Sequence, residues 1–243
     1  MNHSLVSSPI TAALIVAAGS STRFGSDKLM ATIHGKPLIT YSLRAFSETP
    51  FISSIMLVVP PGREAEFRKI VDSLKIPHLT AMTHIISGGK TRYASVQNGL
   101  QALRALSAST QFVAIHDAAR PLITRAQIES VCRAAYKEGA AALALPVVET
   151  LHRADVDGYA QETVDRQGLW SMQTPQVFSA IDLVSYFALK KINNKIDVEK
   201  KLYTDEVSAF LQQGVKVRLI ENREPNIKVT YPADLNVVQN YLR

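Results

Sequence analysis

The chain has a single cysteine, Cys132, so it can form no intrachain disulfide and build no thiolate metal cluster. That usage suits a reducing compartment, and a cytoplasmic protein is expected. No apolar run reaches the length of a membrane span, and residues 1–11 hold Ser and Pro without a basic-flanked apolar core, which reads as a frayed N-terminus on a soluble protein. No long Lys/Arg block interleaved with aromatics occurs, so nucleic acid is not expected as a partner. The six histidines show neither H-x-x-x-H nor H-E-x-x-H spacing, which argues against a protein-built zinc site. Two familiar glycine fingerprints are missing as well. There is no G-x-G-x-x-G, and Gly25 is followed by Ser26-Asp27-Lys28 instead of Gly-Lys-Ser/Thr, so a nicotinamide enzyme and a P-loop NTPase are both set aside. No internal repeat is present.

What the chain does contain is enough apolar matter for one sizeable core, with 243 residues at 47% hydrophobic content. A single domain spanning residues 1–243 is expected. The 27 basic against 21 acidic residues give a net charge of +6, which favours anionic ligands without naming one.

The most informative stretch is 14–28. Residues 14–18 read as a buried strand, and Gly19, Ser20 and Ser21 let the backbone turn and aim its N–H groups at anionic oxygens. Arg23 and Lys28 then add full charge, one as a fork that grips phosphate oxygens and one as a point charge on a flexible stem. Taken alone, such a turn is more often an ordinary strand-to-helix loop. Further along, residues 38–48 read as a helix, 55–59 as a strand closed by Pro60-Pro61-Gly62, 63–74 as a helix and 83–87 as a strand. Residues 91–106 read as a helix, 112–116 as a fourth strand and 140–148 as another. This alternation predicts an α/β fold, a Rossmann-like three-layer sandwich with a mostly parallel sheet whose ligand lies beyond the carboxyl ends of the strands. Motif-like segments fall at those ends: 19–28, Gly88-Gly89-Lys90-Thr91-Arg92, His116-Asp117-Ala118-Ala119-Arg120-Pro121, and Glu149-Thr150.

Residues 151–168 are polar and have too little to bury, which is equally consistent with a projecting β-arm at about 149–170 and with an exposed loop. Residues 180–191 have helical spacing, and the lysines between 190 and 201, mixed with acids and amides, read as a solvated face. Thr204 reads as the cap of a further helix, 215–220 as a last strand and 232–242 as a C-terminal helix.

Together these segments resemble the 2-C-methyl-D-erythritol 4-phosphate cytidylyltransferase family. The resemblance rests on Ala17-Ala18-Gly19 with Arg23 and Lys28, Gly88-Gly89 with Arg92 and Ser95, the 116–121 run, Asp165-Arg166 before Leu169-Trp170, Thr174-Pro175-Gln176, Thr204-Asp205-Glu206 and Asn226-Ile227-Lys228-Val229-Thr230. Each is weak by itself, and their ordered occurrence over nearly the whole chain is specific. One departure is Asp27-Lys28-Leu29, where the family often has Pro-Lys-Gln.

The resemblance implies transfer of a cytidylyl group from CTP to methylerythritol 4-phosphate with release of pyrophosphate, assisted by Mg²⁺. A phosphate oxygen attacks the α-phosphorus in line, so no protein nucleophile is required. It implies catalytic roles for Arg23 and Lys28, and CTP contacts for Ala17, Ala18, Gly19, Gly88, Gly89, Ser95 and Asp117. The acceptor phosphate would be met by Arg120, Thr150, Arg166, Thr174, Thr204 and Lys228. Mg²⁺ would be held mainly by the CTP phosphates, with Asp117 as a candidate ligand. The arm bearing Thr150 and Arg166 would cross to a second subunit, giving a homodimer with shared active sites. Blander readings stand beside these: Ser95 as a helix-surface residue, Asp117 and Arg120 as a structural pair, and His116 as a hydrogen-bonded core residue. Rival functions are a cytidylyltransferase for another polyol phosphate, such as ribitol 5-phosphate, and a non-catalytic nucleotide-binding regulatory module.

Overall fold

The computed structural model describes residues 9–19, 21–183, 185 and 205–242. Of the expected frayed end at 1–11, residues 1–8 lie outside these residues, but Thr11 is buried and opens the first strand; the lysines of 190–201, Thr204 and most of the expected helix at 180–191 also lie outside.

Seven strands form one sheet, flanked by helices on both faces. In chain order these are β1 (Thr11–Val16), β4 (Ile52–Val59), β5 (Thr83–Ser87), β6 (Phe112–Asp117), β7 (Ala140–Pro146), β10 (Trp170–Ser179) and β11 (Arg218–Glu221). They lie in the order β11-β7-β10-β6-β1-β4-β5. β1 pairs in parallel with β4 and β6, β4 with β5, and β7 with β11, whereas β10 runs antiparallel between β6 and β7. The antiparallel strand has a simple origin. Between β7 and β10 the chain makes no helical crossover. It leaves as a hairpin of β8 (Leu151–Ala154) and β9 (Ala160–Val164) and returns beside its starting point, where the Val147 N–H donates to the Leu169 carbonyl at 3.0 Å. A small hairpin of β2 (Thr32–Ile33) and β3 (Lys36–Pro37) precedes the first helix.

Period-2 alternation along β1 divides the core. Ala13 and Ile15 join one apolar cluster with Leu43 and Phe46 of α1 (Ile39–Ser47), Phe67 of α2 (Glu64–Ser73), Leu79 of α3 (Pro77–Met82), and Ile128, Val131 and Cys132 of α5 (Arg125–Glu138). Ala12 and Leu14 join the other with Val96, Leu100 and Leu103 of α4 (Arg92–Leu106) and Phe210 of α6 (Glu206–Leu211). Burial pushes the Cys132 thiol up to about 12, which leaves it an inert core residue. The C-terminal helix α7 (Ala233–Tyr241) covers the first face through Val238.

The expected elements that fall within the described residues are present within a few residues. The alternation read from the sequence omits α5, although Thr124 and Gln127 form a reciprocal capping box at its start. The cap of α6 is Asp205, whose carboxylate accepts the Ser208 N–H at 3.0 Å.

Candidate active site

The carboxyl ends of β1, β5 and β6 open on one cleft of about 290 Å³, lined among others by Ala17, Ala18, Gly19, Lys28, Gly89, Arg92, Ser95, Asp117 and Lys228. Its walls are made of backbone and short side chains because the turns press together. The Gly88 N–H donates to the Val59 carbonyl at 2.7 Å, and a Cβ at Gly88 would stand 2.5 Å from the Ala18 Cβ. Ser95 is buried, so the surface reading of it fails. Its hydroxyl accepts the Gly89 N–H at 3.0 Å and donates to the Thr91 carbonyl at 2.9 Å, folding the 88–92 loop onto the start of α4.

A chain of charges crosses the cleft floor. Asp117 accepts from Lys228 Nζ at 2.7 Å and from Arg92 Nε at 3.2 Å. Arg92 also donates both terminal nitrogens to Glu206, at 2.7 and 2.9 Å, in a bidentate pair with a carboxylate that is almost wholly buried. Burial alone would raise the Asp117 pKa, but the Arg92 and Lys228 cations hold it far below the ordinary carboxylate range. Lys28 donates to the Val229 carbonyl at 3.1 Å. Burial, followed by the neighbouring Lys228 charge, lowers its pKa from the ordinary lysine value. Two ammonium groups are thus held at one cleft around a single carboxylate, an arrangement suited to an anion with several charged oxygens.

Behind Asp117 the turn of the 116–121 run is tied to its neighbours through the backbone. The Ala118 N–H donates to Val16, Arg120 N–H to Asp117, and Val229 N–H to Ala119, at 3.0, 3.0 and 2.8 Å. Ser42 of α1 donates its hydroxyl to the Arg120 carbonyl at 3.3 Å. The Arg120 guanidinium donates to the carbonyls of Asn226, at 2.8 Å, and Met172, at 3.4 Å, and not to Asp117. The structural Asp117–Arg120 pair is therefore absent, since Arg92 and Lys228 occupy the carboxylate instead.

The remaining residues singled out in the sequence are spread more widely. Arg23 sits exposed in a short 3₁₀ turn, Thr22–Phe24, outside the cleft lining, yet near enough for its charge to contribute to lowering the Lys28 pKa. Gly88 is not among the residues lining the cleft, although Gly89 is. Thr150 and Arg166 are exposed on the arm, where the Arg166 guanidinium donates to the Val148 carbonyl. Thr174 is buried, its hydroxyl lying between the Asp117 N–H and the His116 ring.

Sequence reasoning left Arg92, Glu206 and Gln176 without roles, although all three stand in quoted motifs. The Gln176 amide donates to Asp205 at 2.9 Å and accepts the Val207 N–H at 3.3 Å, so β10 anchors the start of α6, while Glu206 anchors it to Arg92. At 114 residues' separation, the Arg92–Glu206 pair leaves no local pattern from which it could be read.

A model of the 2-C-methyl-D-erythritol 4-phosphate cytidylyltransferase family (IspD) matches residues 11–243. The chain is 39% identical over 233 residues to the protein of that name from Caldanaerobacter subterraneus, covering 95% of this chain and 98% of the relative. It is 35% identical to that of Desulforamulus reducens, covering 95% of each. Among solved structures, a 4-diphosphocytidyl-2C-methyl-D-erythritol synthase superposes with a TM-score of 0.79 at 29% identity, over 97% of this chain and all of the other. The Francisella tularensis 2-C-methyl-D-erythritol 4-phosphate cytidylyltransferase superposes with a TM-score of 0.77 at 26% identity, over 95% and 99% of the two chains.

Proposed function

The chain belongs to the 2-C-methyl-D-erythritol 4-phosphate cytidylyltransferase family and is a nucleotidyltransferase that moves the cytidylyl group of CTP onto its polyol phosphate in isoprenoid biosynthesis, and we propose how its residues divide that work. The observation that carries this division is the convergence of Lys28, Lys228 and Arg92 around Asp117 at the strand ends.

CTP lies along Ala17, Ala18 and Gly19, with its base and ribose beside Gly88, Gly89 and Ser95 and its ribose near Asp117. Lys28 exchanges the Val229 carbonyl for the triphosphate, joined by the exposed Arg23. An oxygen of the acceptor phosphate attacks the α-phosphorus, the bond to the bridging oxygen of the β-phosphate breaks, and pyrophosphate leaves with that electron pair. Lys28 and Arg23 stabilise the charge that develops, so positioning and electrostatics supply the catalysis.

Asp117 is the carboxylate in the cleft lining, and among the described residues no three His, Cys, Asp or Glu side chains converge as a metal cage. That donor set fits Mg²⁺, which takes one or two carboxylates and fills its remaining positions with phosphates and water. The ion would be held mainly by the CTP phosphates, with Asp117 as its protein ligand, and would supply neutralisation of phosphate charge.

Residues 1–243 act as a single domain with an arm at 149–170, and the arm packs on a second copy to form a homodimer. Val148, Val156 and Tyr159 are each more than two-thirds exposed along this polar excursion, which supports a role in contact with another surface. Thr150 and Arg166 then reach the partner's acceptor phosphate, which Lys228 and Arg120 meet from within the subunit, with Thr204 joining them. The enzyme works in the cytoplasm, in keeping with a chain holding one cysteine, and no helix among the described residues is long and apolar enough to cross a membrane.

Pyrophosphate release by purified protein with Mg²⁺ should require both CTP and methylerythritol 4-phosphate, and faster turnover of ribitol 5-phosphate would overturn the acceptor. Mixing inactive Lys28→Ala and Arg166→Ala proteins tests the shared site. Random reassortment makes half the dimers mixed, each with one intact site, so about a quarter of wild-type activity should return. No recovery on exchange would refute the shared site.

A further inference from the structure

We propose that His116 and Thr174 are positioning residues that hold Asp117 through a directional hydrogen-bond relay, and that the Thr174 hydroxyl is not a donor to the acceptor phosphate. This rests on the reading of Asp117 and Lys228 given above and assigns a function to a histidine that the reaction itself does not need.

The direction of each bond follows from what its partners can give. His116 Nε2 faces the Arg120 carbonyl at 3.3 Å, and a carbonyl has no hydrogen, so Nε2 carries one and donates it. The ring is fully buried, with the Phe46 ring centroid 5.0 Å from its own, and its nitrogens face a carbonyl and a hydroxyl with no carboxylate as a hydrogen-bond partner, so burial keeps the imidazole neutral. A neutral imidazole with hydrogen on Nε2 has a lone pair on Nδ1. Nδ1 lies 3.0 Å from Thr174 Oγ1, so the hydroxyl must donate there. The same oxygen accepts the Asp117 N–H at 3.1 Å. A hydroxyl has one hydrogen, and this one is committed to His116. Thr174 is moreover 3% exposed and stands behind Asp117, outside the cleft lining.

The relay closes a loop around the turn. His116 fixes the Arg120 carbonyl on one side and, through Thr174, the Asp117 backbone on the other. Asp117 is the carboxylate shared by Lys228 and Arg92, so a slack Asp117 would loosen both cations. A positional error there is felt in CTP use as well as in acceptor binding.

Nitrogen NMR of isotope-labelled protein and a kinetic cycle test this. The imidazole of His116 should show hydrogen on Nε2 and an accepting Nδ1, with the Nδ1 resonance shifting in Thr174→Val and returning in Thr174→Ser. Hydrogen on Nδ1 would overturn the relay whatever the enzyme's activity, so this arm stands apart from the assigned reaction. In steady-state assays, Thr174→Val and His116→Phe should each lower kcat/KM for CTP about tenfold, the double variant should be no worse than either, and Thr174→Ser should recover. Additive losses, or a Thr174→Val variant that raises only the acceptor KM, would overturn it. If His116→Phe does not fold, the Thr174 pair and the wild-type tautomer still decide.

Discussion

Two glycines of the nucleotide cleft should respond differently to the same substitution. At Gly88 an added Cβ would lie 2.5 Å from the Ala18 Cβ, 2.9 Å from Ser95 Oγ and 3.2 Å from the Val59 carbonyl. Ordinary carbon contacts begin near 3.5 Å, so the β1 and β5 turns must separate by about 1 Å. Overpacking of that degree costs about 2 kcal/mol, which for a chain of this length lowers Tm by roughly 4–8 °C. The same displacement in the wall of the cleft should cost about a hundredfold in kcat/KM for CTP. At Gly19 an added Cβ meets nothing within 4 Å, and the backbone is not in the left-handed region. Gly19→Ala should therefore leave Tm unchanged or raise it slightly, because alanine narrows the unfolded ensemble by about 0.4–1 kcal/mol. It should still impair CTP use, since the methyl group intrudes on the space assigned to the nucleotide. Calorimetric unfolding and steady-state kinetics of both variants separate a glycine demanded by the fold from one demanded by the ligand. A Gly88→Ala protein with wild-type Tm and CTP kinetics, or a Gly19→Ala protein that loses stability, would refute the reasoning.

The Arg63 guanidinium is held bidentately by Glu66 and donates to Asp27, whose other oxygen accepts the Leu29 N–H at 3.1 Å, so this pair tethers the Lys28 loop to α2. Both Arg63 and Asp27 are about a third exposed, and Arg63→Gln should cost under about 1 kcal/mol of stability while lowering kcat several-fold; unchanged kcat would dissociate the tether from Lys28. Lys28 has a pKa lowered from 10.5, so more of it is neutral at a given alkaline pH than of a solvated lysine. It should react with an amine-directed acylating reagent faster than the lysine population at the protein surface, and saturating CTP should slow it, as peptide mass spectrometry would report; protection absent under CTP would place the triphosphate elsewhere. Glu206→Leu leaves Arg92 paired with Asp117 alone and should destabilise the protein by about 2–3 kcal/mol, with part of the loss recovered in the Arg92→Leu/Glu206→Leu double variant. Equal Tm values for the wild type and Glu206→Leu would show that the buried pair contributes nothing.

The β-α alternation was legible because apolar runs such as 55–59 are short and end in Pro60-Pro61-Gly62, so each strand announces its own boundary. α5 carried an equally plain signal in Ile128, Val131, Cys132 and Ala135 at helical spacing, with Thr124 and Gln127 at its entrance. Antiparallel β10 had no local mark, since strand direction depends on where the chain returns after the arm and not on the composition of the strand. The same limit governs the site. Cleft-lining residues at strand ends could be named, because topology sends every such end to one side. Which cation faces Asp117 could not, because Arg92, Arg120 and Lys228 are all within motifs and the choice among them is a matter of ångströms.

That choice decides how the cleft meets an anion. Asp117 holds Lys228 and Arg92, and Glu206 holds the other side of Arg92, so these four charges balance across the floor. Lys28 stands outside this balance. Its ammonium donates to the neutral Val229 carbonyl, and the Lys228 charge beside it makes that ammonium less favourable. An incoming triphosphate therefore gains most by displacing a carbonyl from Lys28, not by breaking an ion pair, and the charge it brings relieves the repulsion between the two lysines. Lys228 is fixed by a carboxylate from the strand next to it, which keeps a second cation in place while the first one moves. Replacing Asp117 by Asn should accordingly leave Lys228 unrestrained and reduce kcat more than it weakens CTP binding, because the positive charge remains but its direction is lost.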